Sequence, residues 1–180
     1  SSGEWYAGFT EDEKDDFVTV STSSGSGDRA KQSTRVTVKP NYWTESRSAV
    51  FEVKSKQSTS ADHLRKTMSI TQTAYEYNVS AILSDLVKNG LNFSAAENLE
   101  KAISGLRSTG KLIVEKPASA TWLTVSLENG VLTIRANENK DTKANGPVEV
   151  TVRSEHSSKN PALITSFKVS QDAAEAEKKK

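Results

Sequence analysis

The chain contains no cysteine. Disulfides, thiolate metal sites and cysteine nucleophiles are therefore excluded, and the redox compartment is left open. Charge of one sign is also lacking: 24 basic residues stand against 23 acidic ones, for a net charge of +1. No global field draws such a chain to nucleic acid or to an anionic membrane. No apolar run approaches the roughly 18 residues of a membrane span, so membrane insertion is not expected. No signal peptide stands at Ser1, which leaves a mature form whose address has been removed or a protein without one. There is no Gly-x-Ser-x-Gly elbow and no glycine-rich phosphate loop, so two common catalytic frameworks are missing. Apolar residues make up only 34% of the 180 positions. Serine, threonine and valine are abundant instead, as in sheets with one face in water.

What is present is a repeat. Phe17-Val-Thr-Val-Ser21 matches Trp122-Leu-Thr-Val-Ser126, Thr37-Val-Lys-Pro-Asn41 matches Thr133-Ile-Arg-Ala-Asn137, and Ser69-Ile-Thr-Gln-Thr-Ala74 matches Lys168-Val-Ser-Gln-Asp-Ala173. The offsets are 105, 96 and 99 positions, so order and spacing hold while loops vary. A repeat of this size predicts two domains of one kind. We place them at residues 1–77 and 78–174, followed by a charged, disordered tail over residues 175–180.

Alternation of apolar and polar residues predicts strands at 17–21, 35–39, 48–53 and 67–72 in the first copy, with a weaker one near Trp5. Pro40 ends the second of these because it cannot donate to a ladder. In the strand over 67–72 the inward face is Met68 and Ile70, with Gln72 continuing it at the rim. Residues 21–33 are rich in serine and glycine and read as a flexible loop, and 54–66 as a hydrophilic one. Residues 75–90 admit a short helix ending at Gly90 or a hairpin turning at Asn89-Gly90, and the β surroundings favour the hairpin. Residues 97–108 carry the same ambiguity. In the second copy, strands are predicted at 111–115, 122–126, 131–135, 148–152 and 162–171. Asn129-Gly130 makes a type I′ turn between the second and third of these.

Chemistry-bearing clusters are sparse. Residues 11–16 form an acidic run without the alternating ligands of a calcium loop, and read as a solvated loop. Asn137, Asn139 and Asp141 imitate the odd positions of a calcium loop. Thr142 stands where that loop needs glycine and Val148 where it needs glutamate, so no metal is expected. His63 and His156 lie singly in matching loops and read as exposed histidines. No catalytic residues and no cofactor are expected. Aromatic side chains are the better candidates, because the C–H face of a sugar stacks on a flat ring. Trp122 falls within a strand and reads as core. Tyr42 and Trp43, beside Asn41 in a polar loop that also holds Glu45 and Arg47, have the composition of a sugar platform. The alternative is that Trp43 caps the end of the core. Trp5 and Tyr6 are the next candidates for ligand binding, and also for an edge strand.

Trp122-Leu-Thr-Val-Ser126, the glycine turn, Leu132-Thr-Ile-Arg-Ala-Asn137, the valine-rich strand and the final Phe167-Lys-Val-Ser-Gln171 resemble the BACON domain (Bacteroidetes-associated carbohydrate-binding, often N-terminal). The resemblance covers residues 91–173 well and 17–74 moderately, with Arg47 matching an arginine that follows the family's loop asparagine. It implies an all-β fold of two tandem immunoglobulin-like β-sandwich domains. It also implies a non-catalytic role, with glycan or mucin as partner at the surface of gut Bacteroidetes. The family also occurs in phages, and a virion decoration protein is the second expectation. Nothing before Trp5 matches residues 91–106, which leaves the first copy with an open sheet edge. Residues 75–87 fold back to fill it, another chain or an oligomer does, or the domain is simply small.

Overall fold

The computed structural model describes residues 4–10, 17–21, 24–26, 33–55, 65–96 and 99–176. The acidic run at 11–16, His63 with most of its loop, and the tail beyond Ala176 lie outside the described residues. The chain forms two compact units, Ser1–Tyr75 and Glu76–Lys180. Among the described residues, strands are the main regular structure of both units, as the alternating sequence predicts.

In the first unit β1 (Glu4–Phe9), β2 (Val18–Val20), β3 (Ser24–Ser26), β4 (Val36–Val38), β5 (Arg47–Ser55) and β6 (Arg65–Gln72) follow in order. They form a four-stranded sheet β3-β1-β5-β6 and a two-stranded pair β2-β4, all antiparallel. Strand β5 buries Ala49 and Phe51 on the inward face, as its alternation predicts. Phe9 meets Phe51 edge-on at 5.7 Å. Phe17, Val18 and Ala49 make a small core against which Phe9, Val36 and Ile70 pack. Strand β3 falls in a segment expected to be loop. Ser-Gly-Ser has no apolar alternation to announce it, and pairing with β1 makes it a strand.

The second unit opens with α1 (Val79–Ile82) and α2 (Ser84–Asn89), and continues with β7 (Leu91–Phe93), β8 (Leu99–Ile103), β9 (Leu112–Glu115), β10 (Leu123–Glu128), β11 (Val131–Ala136), β12 (Asn145–Ser154) and β13 (Ile164–Gln171). The sheets are β10-β11-β8 and β7-β13-β12-β9, antiparallel except that β7 runs parallel to β13. The hairpin favoured for residues 75–90 is thus replaced by two short helices. Val79 and Leu83 lie four apart and fully buried, and Leu86 packs beside them, a helical spacing that outweighed the β surroundings. Residues 97–108, by contrast, contain a strand, β8, laid on β11. Asn129 and Gly130 both have positive φ (50° and 73°), the geometry of the expected type I′ turn. Trp122 is a second correction. It precedes β10 rather than lying in it, and is only partly buried against the core.

Strand pairing fixes how the two units correspond. Val18 pairs with Val38 as Leu123 pairs with Ala136. Lys39 N donates to Phe17 O at 2.7 Å as Asn137 N donates to Trp122 O at 2.9 Å. Asn41 therefore corresponds to Asn139, and the sequence match of Asn41 with Asn137 is two positions out. Because side chains alternate every two residues, a slip of two preserves the pattern and escapes a sequence reading. Across the other sheet, Ala7 pairs with Val53 as Val114 pairs with Val152, so β1 is the counterpart of β9. The described residues of the first unit hold no counterpart of the second unit's segment from α1 to β8. Residues 75–87 do not fold back to supply it, since Val79 and Leu83 belong to the second core.

Candidate functional site

The loop between β4 and β5 is held from three directions. Asn41 Nδ2 donates to Glu45 O at 2.8 Å and to Thr73 O at 2.9 Å, while Asn41 Oδ1 accepts from Trp43 N at 3.1 Å. Tyr75 N donates to Trp43 O at 2.7 Å. Arg47 spans the base of the loop: Nε donates to Gln72 Oε1 at 2.9 Å, and one terminal nitrogen donates to Lys39 O and Pro40 O at 3.1 and 2.9 Å. The guanidinium lies 4.3 Å from the centre of the Phe17 ring and 5.7 Å from that of Trp43. Tyr42 is partly buried, its ring 6.3 Å from that of buried Tyr75. Trp43 stays 53% exposed. Both amide hydrogens of Asn41 are committed to loop carbonyls, so this residue positions the loop and Trp43 is the face it shows to solvent.

The second unit repeats the asparagine-centred bonds of this scaffold. Asn139 Nδ2 donates to Lys143 O and Asp172 O at 2.9 and 2.8 Å, Asp141 N donates to Asn139 Oδ1 at 3.0 Å, and Ala174 N donates to Asp141 O at 2.8 Å. Gln171 takes the place of Gln72 and Asn145 that of Arg47: Asn145 Nδ2 donates to Gln171 Oε1 at 3.0 Å, and Gln171 Nε2 to Asn137 O at 2.6 Å. The residues imitating a calcium loop are thus partly spent on this clamp. What differs is the tip, where Lys140 and Asp141 stand in place of Tyr42 and Trp43. The second unit closes the same hydrogen-bonded loop with an aspartate at the position of the indole.

Trp5 and Tyr6 form no common surface with that loop. Trp5 pairs with Ser55, eight residues along β5 from Arg47. At about 3.3 Å per residue the two groups stand roughly 27 Å apart along the strand. As neighbours in a strand, Trp5 and Tyr6 point to opposite faces of the sheet. Trp5 lines a recess of about 260 Å³ with Ser33, Thr34 and Val53. Tyr6, on the outer face, lies over Gly8 where a Cβ would otherwise stand, with Lys54 Nζ 5.6 Å from its ring.

Two features carried no sequence signal. Glu52 is 5% exposed on the same outer face, ion-paired to Lys54 at 2.9 Å and to Arg65. The hydrogen bond from Lys54, aided by Arg65, holds its carboxyl below the usual range despite burial. These partners come from two strands, so their meeting is a product of pairing. In the second unit, Glu76, Arg107, Ser108, Lys111 and Asn129 line an open polar cleft of about 630 Å³. His156 lies 3.8 Å from Glu155 in a turn. Among the described residues no group of three His, Asp or Glu side chains is placed to hold a metal, and no helix is long and apolar enough to cross a membrane.

Comparison with solved structures finds an endo-fucoidan hydrolase of glycoside hydrolase family 107, MfFcnA4 in variant form, at 12% identity and a TM-score of 0.36, covering 94% of this chain and 23% of that one. A second such hydrolase, MfFcnA9, is 8% identical with a TM-score of 0.30, covering 93% of this chain and 27% of the other. The chain thus spans about a quarter of their length. No curated protein matches it. The family model described as "BACON: Putative binding domain, N-terminal" matches residues 5–73, the span of the first unit that contains β1 to β6 and the Trp43 loop. Within the chain it is residues 5–73, in the first unit, that are similar to the BACON family.

Proposed function

We propose that the chain is a non-catalytic carbohydrate-binding protein acting outside the cell, whose first unit meets a glycan, such as a mucin sugar, through Trp43. One observation carries this reading: an indole more than half exposed on a loop that Asn41 and Tyr75 hold rigid, and that the second unit builds with Asp141 instead. A flat aromatic fixed before the ligand arrives loses little conformational entropy on stacking against a sugar. Arg47 lies 5.7 Å from the ring centre, and the neighbouring Thr44 and Glu45 are exposed and supply polar groups beside it. The second unit is read as a further domain of the same kind, because it repeats the hydrogen-bonded scaffold. Trp5 with its recess and Tyr6 on the opposite face are separate secondary surfaces.

The test is a glycan array probed with the chain and with Trp43→Asp, which installs the residue the second unit accepts. Glycan retention should fall at least tenfold while stability changes by no more than about 0.5 kcal/mol. Absence of any glycan binding by the unmodified chain refutes the proposal. Retention that survives Trp43→Asp but is lost in Trp5→Ala refutes the assignment to Trp43.

A further inference from the structure

The pair Asn-Gly occurs at Asn89-Gly90, Asn129-Gly130 and Asn145-Gly146. Asparagine is a thermolabile residue, most of all before glycine, whose missing side chain leaves the backbone nitrogen unhindered to attack the asparagine amide carbon. The attack needs that nitrogen and that amide both uncommitted. The structure treats the three pairs differently. Gly90 N donates to Leu86 O at 2.8 Å and closes the last turn of α2, so its nitrogen is held by the helix. Asn145 is partly buried at the start of β12, and its amide nitrogen donates to Gln171 Oε1 at 3.0 Å, which pins the side chain. Asn129 stands exposed at the tip of the two-residue turn between β10 and β11. Among the described residues it is the one non-glycine residue with positive φ, and neither its side-chain amide nor Gly130 N has a hydrogen-bond partner.

We propose that Asn129 is a modification site, at which the folded chain converts asparagine to aspartate and isoaspartate through a cyclic imide. Gly130 N bonds to Asn129 Cγ as the Cγ–Nδ2 bond breaks, and Nδ2 leaves as ammonia, taking up the Gly130 amide proton. Water then opens the ring. Attack at Cγ gives aspartate on the original backbone. Attack at the main-chain carbonyl carbon gives isoaspartate, whose backbone runs through Cβ and Cγ and is one carbon longer. Water is the only co-reactant. The two products differ in consequence. Aspartate suits this turn as asparagine does, and places a carboxylate on the cleft that Arg107 and Lys111 also line. Isoaspartate does not fit. The turn joins Glu128 to Val131 in register, and Gly130 O accepts from Leu106 N at 3.0 Å. A Cβ on Gly130 would stand 2.6 Å from Leu106 O, so the turn lies tight against that segment. An added backbone carbon has no room there, and the turn must lift from Leu106.

The full chain is incubated at mildly alkaline pH, folded and in urea, and each Asn-Gly peptide is read by mass spectrometry for replacement of the amide by a carboxyl group. In urea the three pairs should convert at similar rates, because only the following glycine matters there. In the folded chain Asn129 should convert at least about tenfold faster than Asn89 or Asn145, which react only through local opening. Asn129→Gly, which keeps a residue suited to the turn, should remove this fast conversion and leave the slow ones. The isoaspartate form, separated by ion exchange, should exchange the Leu106 amide at least about tenfold faster than the parent. Conversion in the folded chain that is fastest at Asn89 or Asn145 overturns the proposal. It is equally overturned if folding slows Asn129 as much as the other two. Unchanged exchange at Leu106 in the isoaspartate form overturns the account of the turn.

Discussion

Asn139 and Asn41 make the same three hydrogen bonds in two different settings, and that contrast allows a magnitude to be worked out. Asn139 is 5% exposed, while Asn41 is partly exposed. Asn139→Ala removes two donations and one acceptance, each worth about 1 kcal/mol net. The freed carbonyls of Lys143 and Asp172 belong to exposed residues and regain water, so the loss settles at about 2–3 kcal/mol. For a unit of this size, that lowers the unfolding midpoint by roughly 10–20 °C. Asn139→Asp keeps the acceptor but turns a second oxygen toward those carbonyls, and should cost at least as much as alanine. Asn41→Ala should cost about 1 kcal/mol, because water already reaches that loop. Urea unfolding followed by hydrogen-exchange mass spectrometry reads the two units separately. A loss below about 1 kcal/mol at Asn139, or an equal loss at Asn41, would refute the view that the buried clamp holds the second unit's loop.

Glu52 gives a pH test. Its carboxyl is depressed in the fold, so its contribution is present above the unfolded value of about 4.3 and is lost as the pH falls through the lower folded value. Glu52→Gln should flatten the first unit's stability profile in that acid window, measured as urea midpoints between pH 2 and 7; parallel profiles for parent and variant would count against the assignment. The two cores should answer differently to truncation at corresponding positions. Phe167→Ala should cost about 3–5 kcal/mol and Met68→Ala under about 1 kcal/mol in the free chain. Equal losses would mean Met68 is covered.

The sequence by itself determined the strands whose faces alternate strongly, including β2, β5, β11 and β12, and the Asn129-Gly130 turn between β10 and β11. It also displayed a repeat, in three pairs of stretches that match in order and spacing. These are local properties, since alternation and turn chemistry are written in adjacent residues. The placement of Trp43 in a polar loop was legible for the same reason. Its exposure was not, because the loop is fixed by Tyr75 N and Thr73 O, some thirty residues away. Only strand pairing decided that Asn41 answers to Asn139, made Ser24–Ser26 a strand, and set Trp5 far from Trp43. The helices over residues 79–89 were decided by burial of Val79 and Leu83 in a core the sequence does not display. Met68 and Val38 show the limit most sharply. Their alternation is that of core residues, yet burial depends on a neighbouring strand, and a strand's pattern records which face turns inward without recording whether anything lies beside it.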